Sequence, residues 1–196
     1  MAGRRQLTDR YFQTRFSADP KREILWRTLV QSYFQSRIPS DGCVLELGAG
    51  YGNFINNIRA RRRIAQDQWP DFAQHLAPGV ESHAGPVTDL SFLADSSVDF
   101  AFASNLFEHI TQEDFASVLT QLRRKLTPGG TLTLLQPNYR YAYRDYFDDY
   151  THITPYSHVS ICDFLHANAY DVISCVPRFM PLTLKSRLKV SPLLFR

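Results

Sequence analysis

Three observations predict an α/β fold built on a doubly wound, mostly parallel sheet. From about residue 21 to residue 176, short apolar runs alternate with segments of helical periodicity, the order that covers a sheet with helices. The run Val44-Leu-Glu-Leu47 stops at Gly48, and glycines at 48, 50 and 52 lead into Phe54, Ile55 and Ile58, a strand, glycine turn and helix in sequence. Thr127-Pro-Gly-Gly130 separates a helical pattern from another apolar strand.

At 196 residues one domain is expected, large enough to bury roughly 70% of its unfolded surface. Hydrophobic residues at 44% and charged residues at 21% are ordinary for a globular chain. A net charge of +3 is too small to require a nucleic-acid partner. Cys43, Cys162 and Cys175 are widely spaced, with no C-x-x-C and no zinc pattern, so buried free thiols in a reducing cytoplasm are expected and no metal is. The N-terminus lacks the apolar core of a signal peptide, and no run approaches the roughly 20 apolar residues of a membrane span.

The elements follow in order. Residues 1–38 read as an N-terminal helical lid segment. Its aromatic-basic cluster (Tyr11, Phe12, Arg15, Phe16) is either a packed edge or a flap, and an amphipathic helix runs from Lys21 to Arg37 behind Asp19-Pro20. The main domain covers 39–196. After its first strand and the glycine loop, a helix is expected to end at the arginine run Arg59 to Arg63, where cations favour the helix macrodipole. Arg63-Ile-Ala-Gln-Asp67 is a second strand ending in an acid placed to accept ribose hydroxyls. Val80 to Val87 carries a third strand and loop, Val98 to Ser104 a fourth. Asp114 to Leu126 is a helix, Thr131 to Leu135 a fifth strand, Ser157 to Ala167 a helix and Tyr170 to Val176 a sixth strand. A closing antiparallel strand is at best minimal.

Four landmarks now stand in order: E-L-G-A-G-Y-G at 46–52, Asp67, S-N-L-F-E-H-I at 104–110 and L-T-P-G-G at 126–130. Together they resemble the class I S-adenosylmethionine-dependent methyltransferases across roughly residues 40–176. The resemblance implies a Rossmann-like sheet and S-adenosylmethionine as cofactor. Gly48, Ala49, Gly50 and Gly52 would line its methionine half, with Glu46 beneath, Asp67 on the ribose and Asn105 near the sulfonium. Gly85-Pro-Val-Thr88 departs from the family pattern, which often has an acid there for the adenine amino group; Asp89 comes late. The downstream block, Gln136 to Pro155 with Arg178 to Arg187, looks like bacterial methyltransferases found beside glycosyltransferases in surface-polysaccharide gene clusters.

That resemblance implies a sugar or other small-molecule acceptor, methylated on a hydroxyl. The segment 136–158 is read as a substrate-side insertion, since loops this long in compact domains carry function and its tyrosines argue against disorder. Tyr139, Tyr141, Tyr143, Tyr146, Phe147 and Tyr150 offer faces for a sugar ring. His152, oriented by Asp149, is the expected general base, with His109 its rival. Two other functions compete. An RNA or protein methyltransferase would need Arg59 to Arg63 joined to Lys185, Arg187 and Lys189 in one basic groove. An inactive methyltransferase-fold binding module is the third. A dehydrogenase is disfavoured because the third glycine falls one residue too early for G-x-G-x-x-G.

Overall fold

The computed structural model describes residues 19–179. Five strands form one parallel sheet: β1 (Cys43–Leu47), β2 (Arg62–Asp67), β3 (Val80–Ala84), β4 (Val98–Ser104) and β5 (Leu126–Leu135), in the order β3-β2-β1-β4-β5. Helices α1 (Pro20–Leu29), α2 (Gln112–Lys125) and α4 (His158–Ala167), with the short α3 (Tyr139–Ala142), complete the α/β architecture. The chain builds outward from β1 to β3, then crosses back to place β4 on the other side of β1. The carboxyl ends of β1 and β4 therefore flank a topological switch point, where open α/β sheets hold ligands.

Strand periodicity divides the core between the two faces. Val44, Ala65, Phe100 and Phe102 face α1, which contributes Leu25 and Leu29. Leu45, Leu47, Ile64, Ala101 and Ala103 face α2, which contributes Phe115, Val118, Leu119 and Leu122. Every residue of β1 is buried, as expected of a central parallel strand. Asp19 caps α1 through Lys21 N–H at 2.8 Å, with Pro20 in the first turn. The helical path continues past Leu29 as a π turn (Val30–Phe34) and a 3-10 turn (Gln35–Arg37), so the expected 21–37 segment is helical throughout, though not uniformly α.

Three expectations need correction. Residues 50–57 form turns rather than a helix. The reason is chemical: glycines and asparagines are poor helix formers, and the Ile55 N–H is given to the Glu46 carboxylate at 3.0 Å instead of to a carbonyl one turn back. Asn56 likewise turns its side chain to His75 O and Ala77 N–H, both at 2.8 Å. The arginine run accordingly does not end a helix. Arg62 and Arg63 open β2, with Arg62 paired to Glu81 at 2.8 Å. Second, no strand forms between Tyr170 and Val176. The segment is held at one end by Tyr170 Oη on Leu119 O (2.9 Å) and at the other by Asn138 Nδ2 on Pro177 O (3.0 Å), and Ile173 is 85% exposed. Third, only Cys43 of the three thiols is buried, because Cys175 lies in that irregular segment; all three are free. The N-terminal aromatic-basic cluster and the tail from 180 onward lie outside the described residues.

The turn that replaces the helix is anchored by Phe54. Its ring stacks on Phe102 at 3.9 Å and meets Phe34 and Trp26 edge-on at 5.7 and 6.2 Å. Phe54→Ala should therefore cost about 3–5 kcal/mol of stability in denaturant unfolding. A loss under about 1 kcal/mol would show that the cluster is not what holds this turn.

Candidate active site

The loop after β1 is wired to the end of β2 by a run of backbone donors. Gly48 N–H reaches Gln66 Oε1 at 3.4 Å, Ala49 N–H reaches Gln66 O at 3.0 Å, and Gly50 N–H reaches Asp67 Oδ2 at 2.7 Å. Asp67 Oδ1 accepts a further bond from Trp69 N–H at 2.8 Å. Gly50 has φ +51° and Gly52 φ +67°, in the left-handed region. A Cβ on Gly52 would also stand 2.8 Å from Leu76 Cδ2 and 2.9 Å from Asn56 Nδ2.

Two buried acids lie under this loop. Burial pushes the Asp67 carboxyl up from its usual range, against the pull of its backbone donors, and pushes the Glu46 carboxyl up well beyond it. An ionised carboxylate has about four lone-pair sites. Asp67 uses two on backbone N–H groups, and its remaining capacity can take a ribose diol.

A cavity of about 1930 Å³ opens above these residues. Glu46, Gly48, Ala49, Gly50, Asp67 and Asn105 line it, together with Asn53, Gln66 and Gln68, which sequence reasoning did not single out. Gly52 is absent from the wall; it shapes the turn. Asn105 stands at the end of β4 with φ +48°, its N–H on Leu135 O at 2.8 Å, so it projects at the switch point from a fixed backbone. Beside β3, Gln66 Nε2 donates to Gly85 O at 2.5 Å and Val87 joins the cavity wall, so that corner is met by backbone and an aliphatic side chain. Single-ligand pockets occupy about 300–1,000 Å³. This cavity exceeds that range because it is an open groove that runs on from the loop to residues 106–111 and 170–179.

The far wall of the cavity is built by residues from 106–111 and from the 136–158 segment. Tyr146 is buried, with its hydroxyl on Thr154 O at 2.8 Å, and Tyr139 meets it edge-on. Tyr141 and Tyr150 line the cavity; Tyr143 and Phe147 are exposed and lie outside its wall. The Tyr141 face is already covered by Arg178 at 4.3 Å, which leaves Tyr150, 64% exposed, as the platform nearest the cavity.

His109 borders the cavity and His152 does not, although their rings touch with centroids 4.7 Å apart. Asp149 Oδ1 accepts the Thr151 hydroxyl proton at 2.6 Å, and Thr151 Oγ1 is 2.9 Å from His109 Nδ1. With the hydroxyl proton committed to Asp149, Thr151 accepts from Nδ1–H, and the lone pair of His109 lies on Nε2. His152 Nδ1 sits 2.6 Å from Tyr146 O, which can only accept, so its lone pair is also on Nε2. Asp149 thus orients His109 through Thr151, a link invisible in the linear order. Burial and the neighbouring His152 lower the His109 pKa to about 4, and burial raises the Glu108 carboxyl to about 8.

A glycine loop over the carboxyl end of β1, an acid closing β2 and an asparagine closing β4 define a nucleoside-cofactor enzyme of the α/β class. The chain belongs to the methyltransferase-domain family, whose profile matches residues 19–175. S-adenosylmethionine is its cofactor. A dimethylglycine N-methyltransferase from Parasynechococcus marenigrum (strain WH8102) is 31% identical over 120 residues, 51% of this chain and 39% of that protein. The chain thus spans about two fifths of that relative's length. In fold it is similar to a SAM-dependent methyltransferase from Archaeoglobus fulgidus, with TM-score 0.64, 21% identity and 76% and 69% of the two chains covered. It is also similar to one from Thermotoga maritima described as a possible histamine N-methyltransferase, with TM-score 0.62, 19% identity and coverages of 85% and 78%.

Gly50→Val should abolish cofactor binding. It forces a β-branched residue to positive φ and displaces the N–H that Asp67 holds. Calorimetry with S-adenosylhomocysteine should show no saturable binding to this variant; wild-type affinity would contradict the assigned loop.

Proposed function

We propose that the protein methylates a hydroxyl group of a sugar or other small molecule, with residues 39–196 as its main domain and 136–158 as its acceptor side; of the expected lid segment, residues 25–38 pack into the core instead. The observation that carries this is one cavity bordered both by the cofactor loop and by His109, backed by the Asp149–Thr151–His109 chain. S-adenosylmethionine, held by the Gly48–Gly50 loop and Asp67, would supply a methyl group already activated on sulfur for displacement by the acceptor oxygen. The hydroxyl proton goes to His109 Nε2, while Nδ1–H stays on Thr151 and the Asp149 charge offsets the imidazolium that results. Tyr150 gives the sugar ring a flat face. Positioning supplies up to roughly 7–11 kcal/mol of such a displacement, and the base about 10²–10⁴-fold. His109 takes precedence over His152 here because it borders the cavity; His152 packs behind it.

An amine acceptor is the second reading, favoured by the N-methyltransferase name of the curated relative. The nucleic-acid reading is weaker because Arg62 is paired with Glu81; the Lys185, Arg187 and Lys189 it would join lie outside the described residues. No helix among the described residues is long and apolar enough to cross a membrane. Three free thiols fit the proposed cytoplasmic setting.

Release of S-adenosylhomocysteine over a panel of sugars, nucleotide-sugars and small amines, dimethylglycine included, separates the two acceptors. On the accepted sugar, His109→Ala should lose about 10²–10⁴ in kcat while S-adenosylhomocysteine still binds, and Thr151→Val should lose less. Full turnover by His109→Ala would exclude it as the base, and turnover with amines alone would exclude the hydroxyl reading.

A further inference from the structure

Glu108 presents a problem that methyl transfer does not solve. It is fully buried, and neither carboxyl oxygen has a hydrogen-bond partner on another of the described residues, its own backbone N–H being the donor beside it. Burying a carboxyl in this way is costly in either protonation state, since the ion lacks a counter-charge and the neutral acid lacks an acceptor for its proton. What lies beside it is informative. A carboxylate oxygen of Glu108 and ring nitrogens of His109 and His152 all fall within 4.8 Å of one another.

From this geometry we infer that Glu108, His109 and His152 form a binding site for a divalent first-row transition cation, zinc being the representative. Two imidazoles and one carboxylate are the ligand set of three-residue zinc sites, whereas calcium and magnesium call for all-oxygen shells. Bonds of about 2.0–2.1 Å in tetrahedral array put ligand atoms roughly 3.3 Å apart. Side-chain rotations closing the cluster by about 1.5 Å bring all three into range. The supporting contacts are already made. Each imidazole has Nδ1 beside an oxygen, Thr151 Oγ1 for His109 and Tyr146 O for His152, which leaves the Nε2 lone pair of each ring for ligation. The loop carrying His152 is fastened to the Glu108 backbone by Ile153 N–H at 2.8 Å and Thr154 N–H at 3.1 Å to its carbonyl, so Glu108 and His152 are held in fixed relation. His109 borders the large cavity, which gives the cation a route in.

The site goes beyond the methyl-transfer reading, and only its consequence for turnover rests on that reading. A bound cation takes the Nε2 lone pair that receives the acceptor's proton, so the loaded cluster is not a base and zinc inhibits.

The test is calorimetric titration of the full metal-stripped chain with zinc alone, without cofactor or acceptor. One equivalent per chain is expected. Affinity should fall at least about tenfold in both Glu108→Gln and His152→Ala, and persist in Cys162→Ser/Cys175→Ser, which removes the accessible thiols. Circular dichroism checks each fold, and His152→Ala decides if the buried Glu108 variant fails to fold. Absence of saturable binding, unchanged affinity in a folded Glu108 or His152 variant, or loss of binding in the thiol variant overturns the assignment. Failure of the general-base reading would appear separately, as full turnover by His109→Ala, and leaves the zinc titration untouched.

Discussion

The carboxylate of Asp67 is the constraint on which the cofactor side depends. It closes β2, reaches back to the Gly50 N–H at 2.7 Å and holds Trp69 N–H at 2.8 Å. One buried side chain thereby ties the β1 loop to the β2 turn, next to the switch point between β1 and β4. Hydrogen bonds to a charged acceptor are worth about 1.5–3 kcal/mol each; here they oppose the burial that raises this carboxyl without cancelling it.

Asp67 is one of three buried acids along the same sheet edge. Glu46 performs a matching task under the loop by holding Ile55 N–H at 3.0 Å. Glu108, at the end of the β4 loop, has no such donor on another of the described residues. That contrast separates scaffold from chemistry: the first two acids are satisfied by backbone and shape the cofactor loop, while the third faces two imidazoles. The two halves of the cavity therefore differ in kind. The half beside β1 and β2 is organised by backbone donors on fixed acids, and the half beside residues 106–111 by side chains borne on a segment that is itself pinned to Glu108.

The cofactor half was legible in the sequence because its determinants are local. Strand, glycines and acid fall in one short stretch, and Asp67 follows after a single crossover, so periodicity and residue type suffice. The parallel sheet could be read for the same reason. The misread helix at 50–57 shows where local reasoning fails, since a long-range partner, Glu46, takes the Ile55 N–H from the helical ladder, and only Asn56 keeps its bond one turn back, to Gly52 O. The missing strand at 170–176 has a similar origin in Asn138 and Tyr170. On the acceptor side nearly everything is non-local. Nothing in the linear order says that Asp149 serves His109 through Thr151, that Tyr146 O fixes His152, or that Glu108 is buried beside both. The aromatic run promised six stacking faces, and only folding shows Tyr146 in the core and Tyr141 under Arg178.

Ligand-dependent unfolding of the wild-type chain tests the central claim, that this loop and its acid bind a sulfonium nucleoside, most directly. S-adenosylmethionine and S-adenosylhomocysteine, each at a hundredfold excess over its dissociation constant, should stabilise the fold by about 2.7 kcal/mol, and NAD should not. Stabilisation by NAD, or none by either sulfur nucleoside, would contradict it.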